Sequence, residues 1–268
     1  MVSPRRSLAL VTGASSGIGR ELARVAARDG HDLLIVARRA ERLSELAAEL
    51  APTGIQVDPV VADLADPAGV PEVMAALAER PVDVLVNDAG VGGRGRFAVE
   101  RDLQTDLAMI RLNVGALVQL TGLLLPGMID RHYGRILNVA SIAGYLPGPG
   151  QAVYNASKAF VRSFSLALAE ETRGTGVSVT ALCPGPVRTE FARTAGYREE
   201  VKGNPLMRIV PAAEVAEAGW AGLMAGRAEV VPDVGTRIGL QALRFLPWRL
   251  VARTAASPRR TPEAQPQG

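Results

Sequence analysis

The sequence predicts an α/β fold: one doubly wound parallel sheet of about seven strands, flanked by helices on both faces. Three observations predict it. Short runs rich in valine, leucine and isoleucine alternate with longer segments of helical pattern. The runs are apolar nearly throughout, as strands are when helices cover both faces of a sheet. A glycine-rich turn, Gly13-Ala-Ser15-Ser16-Gly17-Ile18-Gly19, follows the first run, at the strand–helix junction where such folds bind nucleotides.

The elements follow in order. Leu8-Ala-Leu-Val-Thr12 is an apolar run of strand length ended by Gly13, and Ile18 to Arg28 continues as a helix. Asp32-Leu-Leu-Ile-Val-Ala37 is the second strand and Ala40 to Leu50 the second helix. Ile55 to Val61 and Pro67 to Arg80 form the third pair. Val82-Asp-Val-Leu-Val-Asn87 is the fourth strand, followed by a long helix from about Leu103 to Asp130. Arg135 to Ala140 is the fifth strand and Gln151 to Arg173 the next helix. Val177 to Leu182 and Ala228 to Val231 complete the sheet. Alternation with crossover helices argues for parallel strands, and right-handed crossovers place ligands beyond their carboxyl ends.

No repeat and no second domain is visible. The 268 residues, 48% hydrophobic, suit a single domain with a sizeable core. That domain is expected over residues 1–235, with a substrate lid near 186–210 inside the polar, weakly periodic stretch from Pro184 to Pro211. Residues 236–256 read as a basic amphipathic extension and 257–268 as a disordered tail.

Composition narrows the function. Cys183 is the single cysteine, so a disulfide within the chain and a cysteine metal cluster are both excluded, and a reducing cytoplasm fits. His31 and His132 lie far apart without ligand-like neighbours, so no metal site is expected. The N-terminus lacks the apolar core and cleavage site of a signal peptide. No run of eighteen or more uncharged apolar residues appears, so no transmembrane helix is expected. The net charge of +3 is uneven: from Asp233 onward six arginines face two acids, which leaves residues 1–232 at −1. The basic character belongs to the tail, and nucleic-acid binding by the domain is not supported.

The glycine turn suits a pyrophosphate. Gly13 permits a tight turn, Gly17 and Gly19 allow close approach, and the following helix presents unpaired amides and its positive dipole end. After the second strand come Ala37-Arg38-Arg39, where an acid would bind the ribose 2′-hydroxyl of NAD and arginine accommodates the 2′-phosphate of NADP. NADP(H) is therefore expected over NAD(H), through Arg38 and Arg39.

Lysine is scarce here, with two among thirty basic residues, Lys158 and Lys202. Lys158 stands four residues after Tyr154 in Gln151-Ala-Val-Tyr154-Asn-Ala-Ser-Lys158, one helical turn away on the same face. An ammonium beside a phenol stabilises the phenolate, which fits a tyrosine for acid–base work.

Together these motifs resemble the short-chain dehydrogenase/reductase family over roughly residues 7 to 232. The T-G-x-x-x-G-x-G turn is matched by Thr12 to Gly19, so Gly13, Ser15, Ser16, Gly17, Ile18 and Gly19 are the implied pyrophosphate contacts. Asp63 and Leu64 match the adenine position. Asn87, Asp88, Ala89 and Gly90 match N-N-A-G, with Asp88 in place of the second asparagine. That asparagine usually holds the central backbone of the sheet, and an ionised aspartate cannot donate the same bonds. Asn113, Ser141, Tyr154 and Lys158 match the catalytic set. Pro184, Gly185, Val187 and Thr189 match a segment lining the nicotinamide, with Thr189 on its carboxamide.

The resemblance implies a Rossmann-type fold and an NADP(H)-dependent oxidoreductase that interconverts a carbonyl and an alcohol. It implies that Ser141 bonds the carbonyl oxygen and Tyr154 transfers the proton. Lys158 would assist Tyr154 and bond the nicotinamide ribose, and Asn113 would hold a water linking Lys158 to solvent. A homo-oligomer, dimer or tetramer, is implied through the long helices. The alternative is a catalytically silent NADP-binding regulator of the same fold. The lid residues Phe191, Tyr197, Leu206, Met207 and Ile209 suit either a hydrophobic substrate or the lid's own packing. The 236–256 extension, with Trp248 among arginines and Pro247 as a break, suits either packing on protein or a peripheral membrane contact.

Overall fold

The computed structural model describes residues 6–196 and 208–243, the side chains of 241–243 excepted. Tyr197, Leu206 and Met207 of the expected lid, most of the 236–256 extension and the 257–268 tail lie outside the described residues.

The elements run β1 (Leu8–Thr12), α1 (Gly17–Arg28), β2 (Asp32–Ala37), α2 (Ala40–Leu50), β3 (Val57–Val61), α3 (Gly69–Leu77), β4 (Val84–Asn87), α4 (Leu103–Ile110), α5 (Leu117–Asp130), β5 (Gly134–Val139), α6 (Ala152–Glu171), β6 (Val177–Leu182), β7 (Val187–Arg188), α7 (Phe191–Thr194), β8 (Val210–Pro211), α8 (Ala212–Met224), β9 (Glu229–Val230) and α9 (Val234–Leu243). Seven strands form one sheet in the order β3-β2-β1-β4-β5-β6-β9, every neighbour pair parallel. The order reverses at β1 and β4, so their carboxyl ends flank the crevice in which doubly wound sheets bind ligands.

Burial explains the strand sequences. All five residues of β1 are buried, and so are all four of β4, because helices cover both faces. On one face Leu22, Ala23 and Ala26 of α1 and Leu43 and Leu46 of α2 pack with Val215, Trp220 and Leu223 of α8. On the other, Val70 and Val73 of α3 join Ala116, Leu120 and Met128. Pro59 lies within β3, which tolerates it because β3 is an edge strand.

Three differences from the sequence reading have physical causes. The helix expected over 67–80 ends at Leu77, because Ala78 takes a left-handed φ of 47°. The long helix over 103–130 is interrupted by a π-helical segment, Arg111–Ala116. The last strand shortens to two residues, and α8, which the sequence reading did not assign, precedes it and packs on α1.

The helix Leu103–Asp130 is long and apolar enough, by length and composition, to cross a membrane, with a mean hydropathy of 1.6 over its most apolar 18 residues. Here its inner face, including Leu112, Ala116 and Leu120, is buried against the sheet. In α9, Thr236 and Leu240 are buried one turn apart while Val234 and Ile238 are exposed, so the start of the extension packs on this subunit.

Candidate active site

Helix α6 carries Tyr154 and Lys158 one turn apart, both buried. The Lys158 Nζ donates to the carbonyl of Val139 at 2.7 Å, the last residue of β5. Two residues further on, Ser141 is extended and caps a single 3₁₀ turn, Ile142–Tyr145, its Oγ accepting from Ala143 N at 3.1 Å. Ile142 N in turn donates to Pro184 O at 3.0 Å, which fixes the turn against the segment leaving β6. One strand end thus holds the lysine by its carbonyl and presents the serine.

Asn113 lies in the π-helical segment, a distortion that often re-aims a side chain at a functional site. Its Nδ2 donates to Val91 O at 2.9 Å and to Ser157 Oγ at 3.1 Å, and its Oδ1 accepts from Val91 N at 2.9 Å. Ser157 Oγ donates to the Tyr154 carbonyl at 2.7 Å. Asn113 therefore stitches the helix of residues 103–130, the loop after β4 and α6 together. A Cβ on Gly90 would lie 3.2 Å from Asn113 Oδ1 and 3.6 Å from Lys158 Nζ, so a bare backbone is what lets amide and ammonium sit behind that loop.

Asp88 has a place the sequence did not reveal. A Cβ on Gly13 would fall 2.8 Å from its Oδ2, and one on Gly19 only 2.5 Å away, so the carboxyl lies directly beneath the glycine turn. Gly13, at φ 72°, also has the backbone of Ala89 within 2.9 Å of where a side chain would begin. Burial pushes the Asp88 carboxyl well above the usual carboxylate range, against the pull of Lys158 and of the Gly19 N–H. Burial pushes the Lys158 ammonium down, and the attraction of Asp88 partly restores it.

Thr12 ties down the backbone around residue 88. Its Oγ1 donates to Val86 O at 3.2 Å and accepts from Asp88 N at 3.0 Å and Ala89 N at 3.1 Å. Asn87 is buried below, donating to Asn138 Oδ1 at 2.9 Å and Thr121 Oγ1 at 3.2 Å, so its side chain serves the sheet's interior.

At the start of α1, Ser16 makes no side-chain cap, so its hydroxyl does not occupy the helix N-terminus. The two expected arginines diverge. Arg38 is exposed and lies 3.7 Å from Asp63. Arg39 Nη2 donates to Ser16 Oγ at 2.7 Å and Ser15 Oγ at 3.0 Å, and its Nη1 donates to Glu190 at 3.0 Å. A guanidinium fork, two hydroxyls and an uncapped helix N-terminus are the donor set for a dinucleotide bearing an extra phosphate. The arrangement fits NADP(H), with Arg39 rather than Arg38 turned to the glycine turn. Leu64 is buried beside exposed Asp63, the two residues that the family resemblance places at the adenine.

Across the cleft, the stretch Pro184–Thr189 passes over this turn. A Cβ on Gly17 would be 3.3 Å from Thr189 Cγ2. Val187 and Arg188 pair with Val210 and Pro211 in a separate two-stranded sheet. Phe191 follows, its ring centroid 5.6 Å from that of Tyr154. Cys183 is buried, its thiol pushed up to about 12 chiefly by burial. Among the described residues no group of three metal-ligating side chains occurs.

The sequence reading missed Thr12, Ser157 and Glu190 as site residues. Thr12 opens a motif quoted for its glycines, and Ser157 stands inside the Tyr-x-x-x-Lys motif, so each carried a signal. Glu190 reaches Arg39 across 151 residues, and no local pattern shows that.

The family model for short chain dehydrogenase matches residues 7–200. The chain is 43% identical over 194 residues to sulfoacetaldehyde reductase 2 of Chromohalobacter salexigens, spanning 70% of this chain and 77% of that protein. It is 37% identical over 219 residues to the NADP-dependent 3-hydroxy acid dehydrogenase YdfG of Salmonella typhi, spanning 80% of this chain and 87% of that protein. Among solved structures, a short-chain dehydrogenase from Sphingobium yanoikuyae in complex with NADPH superposes with a TM-score of 0.80 at 31% identity, over 97% of this chain and 99% of that one.

Proposed function

The chain belongs to the short-chain dehydrogenase family, and from that premise we propose that it is an NADP(H)-dependent oxidoreductase interconverting a carbonyl and an alcohol. The observation that carries the reading is that Lys158, one turn from Tyr154, is held on Val139 O at 2.7 Å two residues before Ser141, while Asn113 is tied through Ser157 to the Tyr154 carbonyl. NADP(H), when bound, supplies or takes the hydride. In the reductive direction the Ser141 hydroxyl donates to the carbonyl oxygen as charge builds there. Tyr154 delivers the proton to that oxygen, and Lys158 carries the positive charge that stabilises the phenolate left behind. Asn113 Oδ1 bonds Val91 N through one lone pair and has a second for the water that would replenish the proton. Thr189, against Gly17, is the residue assigned to the nicotinamide carboxamide.

Cofactor preference is supported by Arg39 on Ser15 and Ser16, and by relatives and a structural neighbour described with NADP or NADPH. The silent-regulator alternative is not favoured, since the relatives are named as a reductase and a dehydrogenase. For the substrate we propose a carbonyl compound with an apolar flank, supported by Phe191 beside Tyr154. A second reading, a small anionic substrate, is favoured by Arg101. It lines a small cleft with Tyr154, although it is paired with Asp106 at 2.5 Å. NADPH consumption over a panel of apolar ketones, aldehydes and carboxylate-bearing carbonyls tests all of this. Absence of turnover throughout, with NADPH bound, would return the regulator.

A homo-oligomer goes with this reading, supported by Leu103, Leu107, Ile110, Leu123 and Phe160, all exposed on the α4–α5 and α6 helices. Sedimentation velocity gives the state directly, and a monomer at working concentration would remove it. A cytoplasmic location is consistent with the single, buried cysteine.

A further inference from the structure

Glu190 occupies the arginine that the cofactor's 2′-phosphate needs. It directly follows Thr189 at the start of the lid, and its carboxylate gathers guanidinium groups from two sides of the cleft. Arg39 Nη1 donates to Oε2 at 3.0 Å, Arg42 Nη2 lies 3.7 Å from Oε1 and Arg193 Nη2 3.8 Å from it. The same Arg39 fork holds Ser15 and Ser16 through Nε and Nη2. Planar guanidinium forks bind carboxylate and phosphate by the same geometry, so one Nη1 edge cannot serve both anions at full strength.

We propose that Glu190 is an internal competitor for the 2′-phosphate subsite: its carboxylate stands where the phosphate's charge is to be bound, and NADP(H) enters by exchanging places with it. This rests on the NADP(H) reading above and adds a specificity-determining residue to it. A cofactor without the 2′-phosphate leaves the Glu190–Arg39 pair intact and is indifferent to it. A cofactor with the phosphate binds more weakly than its contacts alone would allow, because part of the population holds the subsite closed. The Arg39 hydrogen bond holds the Glu190 carboxyl below the usual carboxylate range, so the competitor is ionised at neutral pH. The pair is well exposed, at 46% and 36% for the two side chains, so the competition is modest and salt-sensitive.

The test uses two probes that differ by the phosphate alone, adenosine 2′,5′-bisphosphate and 5′-AMP, titrated calorimetrically into the full chain and into Glu190→Gln, Arg39→Ala and the double variant. Glu190→Gln is expected to tighten the bisphosphate about two- to fivefold, the range of an exposed ion pair, and to leave 5′-AMP within experimental error. The gain should disappear in the Arg39→Ala background. Weaker bisphosphate binding in Glu190→Gln would overturn the proposal, because Glu190 would then be orienting Arg39 for the phosphate. Equal changes for both probes would overturn it too. If the unaltered chain binds both probes alike and Arg39→Ala changes neither, the NADP(H) assignment itself fails. That outcome differs from loss of the Glu190 effect alone.

Discussion

Phe191 packs its ring on Tyr154, centroids 5.6 Å apart and planes inclined at 47°. It also sits where a side chain on Gly92 would begin, 2.7 Å from its Cζ. The first residue of α7 is thereby wedged between Tyr154 and the loop after β4. Shortening it should open space beside the Tyr154 hydroxyl, the proposed proton donor, while leaving Tyr154 in place. Phe191→Ala is expected to raise kcat/KM for bulky ketones relative to small aldehydes. It should also remove the aromatic pair's share of stability, about 1 kcal/mol. Competition between two carbonyl substrates of different width measures the ratio; an unchanged ratio would remove Phe191 from the substrate wall.

Tyr154 and Lys158 are separable by experiment. Tyr154→Phe keeps the ring on Phe191 and the helix intact but deletes the proton. It should lower kcat by about 10²–10⁴ with a melting temperature close to the parent's. Lys158→Met should lose a similar factor while gaining stability, because the ammonium is buried and its charged form is penalised there. Thermal melts beside turnover distinguish the two. A Lys158→Met protein that melts well below the parent would show that the bond to Val139 O matters more to the fold than burial costs it.

Strands such as Leu8–Thr12 and Val177–Leu182 were legible in the sequence to the residue, because burial on both faces leaves no other pattern for them. Asn113, Ser141, Tyr154 and Lys158 were legible as motif positions. How two of them are held was not, since Lys158 rests on the carbonyl of Val139 and Asn113 on the π-helical turn of Arg111–Ala116. The choice between Arg38 and Arg39 was illegible because neighbours at a strand end point to opposite sides, and only the fold says which side holds Ser15 and Ser16. Glu190 was invisible because its partners are distant in the chain.

The Asn87–Asn138–Ser165 chain runs through the middle of the sheet. Asn87 Nδ2 donates to Asn138 Oδ1 at 2.9 Å, and Asn138 Nδ2 donates to Ser165 Oγ at 2.9 Å. Asn138 is fully buried, so replacing it leaves polar groups on β4 and α6 without water to turn to. Asn138→Ala is expected to destabilise the protein by about 3 kcal/mol, given the cost of an unsatisfied buried group. Denaturant unfolding gives the number, and a loss under about 1 kcal/mol would mean that the network relaxes around the hole.

Asp88 makes stability depend on pH in a direction opposite to most carboxylates. Its folded pKa lies above its unfolded one, because burial under the glycine turn outweighs the attraction of Lys158 and the Gly19 N–H. An acid raised in this way contributes fully below the ordinary carboxylate range, and its contribution is lost as pH rises through the folded value. Lys158 is lowered, so its share is present at high pH and is lost as pH falls through its own folded value. Asp88→Asn removes the first dependence and keeps an oxygen for the Gly19 N–H. Its melting temperature relative to the parent should therefore rise steadily from about pH 5 to about pH 8. The Lys158 attraction works against that rise, but it is already contained in the net upward shift of Asp88. Paired melts across this range decide the matter. A difference that stays flat, or that shrinks as pH rises, would show that the Asp88 carboxyl is ionised throughout and that its charge is stabilised where it lies.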